Sequence, residues 1–227
     1  LGAKGWRLDV ADELNDEFIA GIKKAVKETH ADGLLLGEVW EDASNKISYG
    51  KMRKYLLGDE LDCVMNYPMR TALIDFLTGK ISSHSAGRKL MSLYENYPKP
   101  AMEANFNLIS SHDRARILTI LSGFDEQNPK NNQPGDSVGE EALKKLWLIL
   151  VMQMTLPGVP CIYYGDEAGL TGGLDPDNRK AFPWGKENKD ILNTYRSAIS
   201  LRKEWPVFTD GRFSIINTES SEVFGYK

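Results

Sequence analysis

The sequence predicts an α/β fold built from repeated strand-helix units, either as part of a (β/α)8 barrel or as a doubly wound sheet. Short apolar runs alternate with longer amphipathic segments, and five such units follow one another along the chain. The run GLLLG is apolar throughout, which suits a strand buried on both faces. No glycine-rich phosphate loop follows any predicted strand, and this weakens the doubly wound alternative, whose nucleotide sites use such a loop.

The first two units begin with strands that each carry a carboxylate near the carboxyl end. GWRLDV, residues 5–10, is the first predicted strand, and DEFIAGIKKAVKETH, residues 16–30, is its helix. The apolar residues of that helix recur at helical spacing: Phe18, Ile19, Ile22 and Val26. GLLLGEVW, residues 33–40, is the second strand. The carboxylates are Asp9 in the first strand and Glu38 in the second.

The middle of the chain predicts two further strands and two helices. LDCVMNYP, residues 61–68, is the third strand, which Pro68 closes. Residues 69–79 form its helix, and residues 82–98 predict another helix. ANFNLISSHD, residues 104–113, is the fourth strand and ends in two polar side chains suited to chemistry.

The last third begins with a polar loop and ends in a change of pattern. Residues 123–139 are rich in Gly, Pro, Asn and Asp, which predicts an exposed excursion. A buried helix at 140–158 and a fifth strand at 159–166 follow, and residues 189–206 form a last amphipathic helix. Residues 211–227 then alternate in the manner of strands, and we interpret them as the first hairpin of a separate β domain.

Composition and charge exclude several classes of function. The 227 residues carry a net charge of -4, without the basic excess that binding to nucleic acid requires. No apolar window is long enough for a membrane span, because Gln153 and Thr155 interrupt the most apolar helix. Cys63 and Cys161 are too few and too far apart for a disulfide framework or a zinc site. We therefore expect no nucleic acid, no membrane and no metal site on this chain.

Polar residues end each predicted strand. In a parallel barrel these residues converge on one rim, where the active sites of that fold lie. They are Asp9, Glu38, Asn66, His112, Asp113, Asp166 and Glu167. Taken singly, Asp9 could be a helix cap and His112 an ordinary hydrogen-bonded histidine. Several carboxylates at one rim raise one another's pKa, however, because like charges repel. Packing alone gives no reason for such an unfavourable cluster.

Two chemistries use such a ring of carboxylates. Retaining glycoside hydrolysis needs a nucleophile and an acid, whereas an enolase-type barrel enzyme uses strand-end acids to hold Mg²⁺ beside a lysine or histidine base. Arg7 lies two residues before Asp9, hence on the same strand face, where it would keep that aspartate ionised. No lysine ends a predicted strand, and Trp40 and Trp184 offer flat faces to sugar rings or to the core. The residues therefore favour a sugar substrate.

Three segments resemble the α-amylase family, glycoside hydrolase family 13. GWRLDVADE is similar to its second conserved region, GEVW to its third and LISSHD to its fourth, in the family's order. The sequence between these motifs is most similar to the neopullulanase, cyclomaltodextrinase and amylopullulanase branch of the family. The resemblance covers nearly the whole chain. It implies a retaining hydrolase or transglycosylase acting on starch, pullulan or cyclodextrins, and it leaves the choice between α-1,4 and α-1,6 bonds open.

The resemblance implies a role for each matching residue. Asp9 would be the nucleophile, Glu38 the general acid and then base, and Asp113 the third catalytic carboxylate. The residues implied to bind substrate are Arg7 beside Asp9, His112 at the cleaved sugar, Asp12 and Glu13 on the leaving side, Trp40 stacking the next sugar, and Asp175 and Arg179 on the non-reducing side. No cofactor is implied for the chemistry.

The family's first conserved region should precede GWRLDV, and no matching segment does so here. The resemblance therefore implies barrel strands four to eight in residues 1–206 and the start of an all-β C-terminal domain in residues 207–227. It places the family's structural calcium outside this chain. We expect the chain alone to be inactive or nearly so, and to form homo-oligomers through exposed barrel edges. The alternatives are a non-catalytic glucan-binding protein on an amylase-like barrel and, less favoured, a Mg²⁺-dependent barrel enzyme of the enolase type.

Overall fold

The structure is a computed structural model, and it describes residues 2–130 and 137–227. The strands in the described residues are β1 (Gly5–Leu8), β2 (Leu34–Gly37), β3 (Ile47–Ser48), β4 (Lys51–Met52), β5 (Cys63–Val64), β6 (Phe106–Leu108), β7 (Val159–Cys161), β8 (Ile215–Ile216) and β9 (Gly225–Tyr226). The α-helices are α1 (Asp16–Thr29), α2 (Tyr67–Leu77), α3 (Ser83–Asn96), α4 (Lys99–Ala104), α5 (Ile117–Leu121), α6 (Glu140–Thr155), α7 (Lys189–Glu204) and α8 (Val207–Asp210).

Five short parallel strands lie side by side in chain order. β1 pairs with β2 and β2 with β5, with Trp6 opposite Leu35 and Leu36 opposite Cys63. A bridge between Met65 and Phe106 carries the order on to β6, which pairs with β7. A doubly wound sheet would reverse its strand order at a switch point, whereas this order runs in one direction. The arrangement is that of a (β/α) barrel wall, and it brings the carboxyl ends of the strands to one rim.

Side-chain caps explain where two of the helices begin. The Asn15 side chain accepts a hydrogen bond from the Phe18 amide at 2.7 Å and caps α1. The Asn66 side chain accepts from the Met69 amide at 3.2 Å and caps α2. The prediction of a third strand over residues 61–68 is therefore wrong at its end, because Pro68 lies in the first turn of α2 instead of closing a strand.

The core lies between the strands and the helices that follow them. Its largest fully buried members include Ile19, Leu35, Leu73, Leu108, Ile117 and Leu118. Gly37, at the end of β2, allows the Leu61 side chain to pack against the backbone, since a Cβ there would lie 2.2 Å from the Leu61 Cδ1 atom. The described parts of the chain contain no helix long and apolar enough to cross a membrane.

The last segment packs on the outer helices. β8 and β9 pair in antiparallel fashion, with Ile215 opposite Tyr226. The Ser83 amide at the start of α3 donates to the Ser221 carbonyl at 2.8 Å, and the Phe76 and Phe224 rings lie 5.8 Å apart. The division at residues 206 and 207 stays a prediction; the residues directly after it form α8 before the strands begin.

The predicted polar excursion at 123–139 is partly anchored. Residues 131–136 of it lie outside the described residues. Before them, the Glu126 carboxylate accepts two hydrogen bonds from the Arg70 guanidinium, at 2.8 and 3.1 Å, and Phe124 is buried. The described start of this segment is therefore packed on α2, contrary to the expectation of a wholly exposed loop.

Candidate active site

A single guanidinium joins the two carboxylates at the ends of the first two strands. The Arg7 Nη1 atom donates to Asp9 Oδ1 at 2.7 Å, and its Nη2 atom lies 3.0 Å from Glu38 Oε1. The third nitrogen, Nε, donates to the Met65 sulfur at 3.2 Å, which fixes the plane of the group. Arg7 and Asp9 thus share a strand face, as the spacing of two predicted, and the face is shared with Glu38.

The backbone after β1 reinforces this contact. The Val10 amide donates to Glu38 Oε2 at 2.9 Å, so both carboxylate oxygens of Glu38 are engaged. Val10 has a φ of 46°, a left-handed conformation that a β-branched residue rarely adopts. The Ala11 amide donates to the Glu38 carbonyl oxygen at 3.1 Å and holds the two segments together. Backbone strain of this kind concentrates at functional sites, where surrounding contacts enforce it.

Asp9 and Glu38 lie in different environments. The Asp9 side chain is 68% exposed, whereas that of Glu38 is 4% exposed. The hydrogen bond from Arg7 lowers the pKa of the Asp9 carboxyl below its ordinary value, with smaller contributions from Glu38 and His112. Asp9 is therefore ionised at neutral pH, which is the state in which a carboxylate attacks, whereas Glu38 is enclosed by protein.

The fourth predicted strand brings His112 and Asp113 to the same rim. The His112 Nε2 atom lies 2.9 Å from Asp113 Oδ2, and the Asp113 amide donates to the Ser111 hydroxyl at 3.2 Å. The Tyr67 hydroxyl lies 3.3 Å from the same serine oxygen. Because His112 acts on the pKa of Asp9, the two strand ends are electrostatic neighbours.

The loop after β7 reaches back to Asp113. The Arg179 Nε atom lies 3.0 Å from Asp175 Oδ1, and its Nη2 atom lies 3.7 Å from Asp113 Oδ1. The buried Asn178 side chain donates to the carbonyl oxygens of Ser111, His112 and Arg114, at 3.4, 2.8 and 3.0 Å respectively.

Asn178 is a site residue that sequence reasoning missed. It stands in a polar stretch that gives no sign of burial.

The Trp40 ring lies at the rim and already contacts two other side chains. The Tyr67 ring stacks on it with centroids 4.4 Å apart and planes at 7°, and the Arg114 guanidinium lies 4.4 Å from the Trp40 centroid. A sugar that stacks on Trp40 would have to share or displace one of these partners. The role that the resemblance implies for Trp40 stays a prediction.

Asp12 and Glu13 lie in a one-turn 3-10 helix after β1 and are tied to the hairpin of β3 and β4. Asp12 accepts from the Tyr55 hydroxyl at 2.5 Å, and Lys46 lies 3.2 Å from its second oxygen. Glu13 accepts a hydrogen bond from the Tyr49 hydroxyl. The sequence did not predict this hairpin, so these three partners were missed as well.

Three of the strand-end residues do not join the site. Asn66 is buried and caps α2, as described above. Asp166 is buried against Arg116, with 3.0 Å between Asp166 Oδ1 and Arg116 Nη1, and burial raises its pKa to about 6. Glu167 accepts from the Gly165 amide at 2.7 Å. The expectation that every strand-end carboxylate faces one rim is therefore wrong for Asp166, which is buried against Arg116.

The fold and site define a class: a (β/α)-barrel protein with Asp, Glu and Asp carboxylates at the carboxyl ends of its strands. The family model of the α-amylase catalytic domain matches residues 2–189. The chain belongs to the α-amylase family. Among the described residues, no cluster of three or more His, Cys, Asp or Glu side chains could hold a metal ion.

Two named relatives cover most of this chain. It is 39% identical to the amylopullulanase of Thermoanaerobacter thermohydrosulfuricus over 93% of its own length and 14% of that protein's. It is 37% identical to the cyclomaltodextrinase of Geobacillus thermopakistaniensis over 91% of its own length and 31% of that protein's. The chain therefore spans less than a third of each of these two relatives.

Solved structures agree with this family. The structure of a cyclomaltodextrinase is similar with a TM-score of 0.79 and 36% identity, over 96% of this chain and 33% of that one. The cyclic α-maltosyl-(1→6)-maltose hydrolase of Arthrobacter globiformis, in complex with its cyclic sugar, is similar with a TM-score of 0.81 and 29% identity, over 96% of this chain and 44% of that one.

Proposed function

We propose that the protein to which this chain contributes is a retaining α-glucan hydrolase acting on starch, pullulan or cyclodextrins. The observation that carries the proposal is the Arg7 guanidinium, which lies within hydrogen-bond distance of both Asp9 and Glu38. Two carboxylates held by one cation, one exposed and one buried, suit a nucleophile and an acid in retaining hydrolysis. The names of the relatives support α-1,4 and α-1,6 glucans as the substrate class.

In the proposed mechanism the two carboxylates act in turn. An Asp9 oxygen attacks the anomeric carbon while the bond to the leaving oxygen breaks, and Glu38 gives its proton to that oxygen. Glu38 then takes a proton from water, the water oxygen attacks the same carbon, and Asp9 is released. One Glu38 oxygen must turn from Arg7 or from the Val10 amide to meet the leaving group. Arg7 remains on Asp9 and keeps it ionised.

Asp113 and its neighbours would bind the sugar that is cleaved. His112 and Arg179 flank the two oxygens of Asp113, which orients this carboxylate toward ring hydroxyls. Hydrogen bonds to those hydroxyls become stronger as positive charge develops on the sugar ring in the transition state. They therefore lower the activation barrier.

A chimera tests the assignments. In the cyclomaltodextrinase chimera, this chain replaces the matching segment of the Geobacillus thermopakistaniensis enzyme. We expect Asp9→Asn and Glu38→Gln each to lower kcat on maltoheptaose by roughly 10³-fold or more, since each removes a reacting group. Asp32→Asn, at an exposed aspartate paired with Lys4, is the matched control and should keep full activity. NMR of fresh product should show the α-anomer first.

Four outcomes would overturn the proposal. Near-normal turnover by Asp9→Asn would show that Asp9 is not the nucleophile. A β-anomer as first product would exclude a retaining mechanism. Binding of pullulan without release of reducing sugar would identify a glucan-binding protein instead. Loss of turnover in EDTA with the fold intact would favour the metal-dependent barrel chemistry.

We further propose that the chain alone is inactive or nearly so. The 68% exposure of the Asp9 side chain leaves the reacting oxygen in water, where electrostatic stabilisation of a transition state is weak. The purified chain should release maltose from maltoheptaose at less than about 1% of the rate of the chimera. A hundredfold difference in rate corresponds to roughly 3 kcal/mol of activation free energy. Rates within a factor of ten of each other would contradict this expectation.

A further inference from the structure

Tyr67 is a buried side chain that joins three of the segments at the rim. It is the first residue of α2, directly after the capping Asn66, and it is 2% exposed. Its ring lies against Trp40, which follows β2, and its hydroxyl lies 3.3 Å from the Ser111 hydroxyl oxygen in the loop after β6. Because so little of Tyr67 is exposed, its effect on the chemistry must pass through these neighbours.

The Tyr67 ring is held in one orientation. Its plane lies at 7° to that of Trp40, with the ring centroids 4.4 Å apart. It belongs to a small buried cluster with Leu36, Cys63 and Leu108, which come from β2, β5 and β6. Packing therefore fixes the position of the hydroxyl before any hydrogen bond is considered.

The Ser111 hydroxyl connects this fixed position to Asp113. The Asp113 amide donates to the Ser111 oxygen at 3.2 Å, in a turn where a serine side chain binds the backbone two residues later. The same oxygen lies next to the Tyr67 hydroxyl, so the contacts run from Tyr67 through Ser111 to the backbone of Asp113. Ser111 is buried, and water therefore competes little for either hydrogen bond.

The Tyr67 hydroxyl lies among the charged groups of the site. Burial is the main cause that raises the pKa of this phenol, and the Ser111 hydrogen bond acts against it. The charges of Glu38 and Asp113 raise that pKa further, and Arg7 opposes them. The net shift is upward, so the hydroxyl keeps its proton at neutral pH and bonds to Ser111 as a neutral group.

Core packing alone does not account for a tyrosine at this position. A phenylalanine would fill nearly the same volume without a buried hydroxyl, which is costly unless it is hydrogen-bonded. The hydroxyl is placed against Ser111, and Ser111 in turn binds the amide of Asp113.

We propose that Tyr67 is a positioning residue for Asp113 and acts through the Ser111 hydroxyl. Trp40 lies two residues after Glu38, so Tyr67 sets the place of Asp113 relative to the segment that carries the acid. The inference rests on the proposed function, because its consequence is a change in turnover. In that mechanism the bonds between Asp113 and the sugar strengthen in the transition state, so a small displacement of Asp113 lowers kcat more than it raises KM.

A double-mutant cycle in the cyclomaltodextrinase chimera tests the inference. We expect Tyr67→Phe and Ser111→Ala each to lower kcat on maltoheptaose by about fivefold or more, with KM changed less than about twofold. The double variant should lose no more than Ser111→Ala alone, since both substitutions break one chain of contacts. Tyr67→Phe keeps the ring on Trp40, and urea unfolding should show that it is folded under the assay conditions.

Tyr226→Phe is the matched control. It removes a phenol hydroxyl that lies 2.6 Å from the Thr155 hydroxyl, a pair of the same chemical kind. Thr155 ends α6 just before β7 begins, at the end of the strands opposite the rim. This variant should keep the kcat of the unmodified chimera.

Several results would overturn the inference. They are a loss of kcat smaller than fivefold in Tyr67→Phe, a loss that appears in KM instead, additive losses in the double variant, an equal fall in kcat in Tyr226→Phe, and unfolding of Tyr67→Phe, which would indicate a purely structural role. Failure of the proposed function would appear separately, as turnover by the Asp9→Asn chimera with Tyr67 and Ser111 unchanged.

Discussion

Arg7 is the residue on which the site depends, because its guanidinium contacts a carboxylate from each of two strands. A lysine has its three donors on one small ammonium group at the end of a flexible stem, so it could not hold Asp9 and Glu38 through a rigid planar fork. The buried Glu38 and the exposed Asp9 are therefore held at a fixed separation by a planar group. This geometry leads to a prediction about pH.

Arg7→Lys should move the acid limb of the pH profile of kcat/KM to higher pH in the cyclomaltodextrinase chimera. The Arg7 hydrogen bond lowers the pKa of Asp9. Weakening it raises that pKa, so that Asp9 becomes ionised only at higher pH. We also expect a fall in kcat of about 10²-fold or more, from the lost orientation of Asp9.

Arg88→Lys is the control for this prediction, since Arg88 is exposed and donates to Ser85 on α3. Its pH profile should overlay that of the unmodified chimera. An unshifted acid limb in Arg7→Lys would show that Asp9 does not set it.

Asp166 predicts a pH effect on stability rather than on chemistry. Its folded-state pKa of about 6 lies above its ordinary value of 3.8, so the folded protein binds this proton more tightly than the unfolded chain. The contribution of Asp166 to the free energy of unfolding is therefore greatest below about pH 3.8 and falls as pH rises toward 6. A shift of this size corresponds to roughly 3 kcal/mol.

Asp166→Asn should remove this fall, although it weakens the pairing of Arg116 at every pH. Urea unfolding at pH 4.5, 5.5 and 6.5 measures both effects. The exposed Asp59→Asn should keep the slope of the unmodified chain. Parallel pH dependences for the unmodified chain and Asp166→Asn would refute the assignment.

At the scale of elements, the loops around the rim are tied to one another by side chains that point into the protein. The short 3-10 helix of residues 177–179 carries Asn178, whose amide group holds the loop of His112 and Asp113. The hairpin of β3 and β4 is tied in the same way to the loop after β1, through Arg53. The rim is thus a set of paired loops.

Asn178→Ala should lower the free energy of unfolding by about 2 to 4 kcal/mol, because it leaves three carbonyl oxygens without their shared donor in a buried position. Urea unfolding of the chain measures the loss. Asn96→Ala, at an exposed asparagine that donates to Ser92, should cost less than about 0.5 kcal/mol. Equal losses in the two variants would mean that the Asn178 bonds are weak.

Local patterns were sufficient for some elements and insufficient for others. The strand pattern and the spacing of Arg7 and Asp9 place both groups correctly on one face. α4 was missed because the predicted helix of residues 82–98 ended at Pro98, whereas proline also fits the first turn of a helix, as Pro100 does in α4. The β3-β4 hairpin was missed because Tyr49 stands where Asn usually signals such a turn.

The fold class predicted that the strand ends meet, but the individual side-chain partners of distant segments could not be read from the sequence. The carbonyl groups that Asn178 binds lie 64 to 67 residues away along the chain, and no local periodicity encodes such a pairing. The burial of Asp166 is of the same kind, since its partner Arg116 precedes it by 50 residues. Sequence reasoning therefore found the strand-end carboxylates and could not separate the one that turns inward.

At the scale of the whole molecule, β1 and β7 are the outer strands of the five-stranded parallel wall in the described residues. Each presents backbone groups that another strand could pair with. Trp6 on β1 is 56% exposed and Val159 on β7 is 42% exposed, so both edges carry apolar surface. Such surfaces favour association with other chains.

We expect the chain to associate with itself at micromolar concentrations and Trp6→Glu to weaken that association at least tenfold. Burying the introduced charge at the β1 edge would be unfavourable. Sedimentation velocity over a range of concentrations measures the effect. Trp184→Glu removes a tryptophan that is 82% exposed on a loop and should change little. A chain that stays monomeric at 100 μM, or equal effects of the two substitutions, would contradict the expectation. The tenfold loss corresponds to about 1.4 kcal/mol of association free energy.

The fluorescence of Trp40, which is stacked at the rim, can report on ligand binding there. The other four tryptophans are all more than half exposed, so Trp40 is the one whose emission is shielded from water. Its indole lies against the guanidinium of Arg114 and the phenol ring of Tyr67, and these two groups set the polarity around it. A sugar that takes the place of the Arg114 side chain would therefore change the intensity at short emission wavelengths, and occupancy of the rim could be followed without any added label.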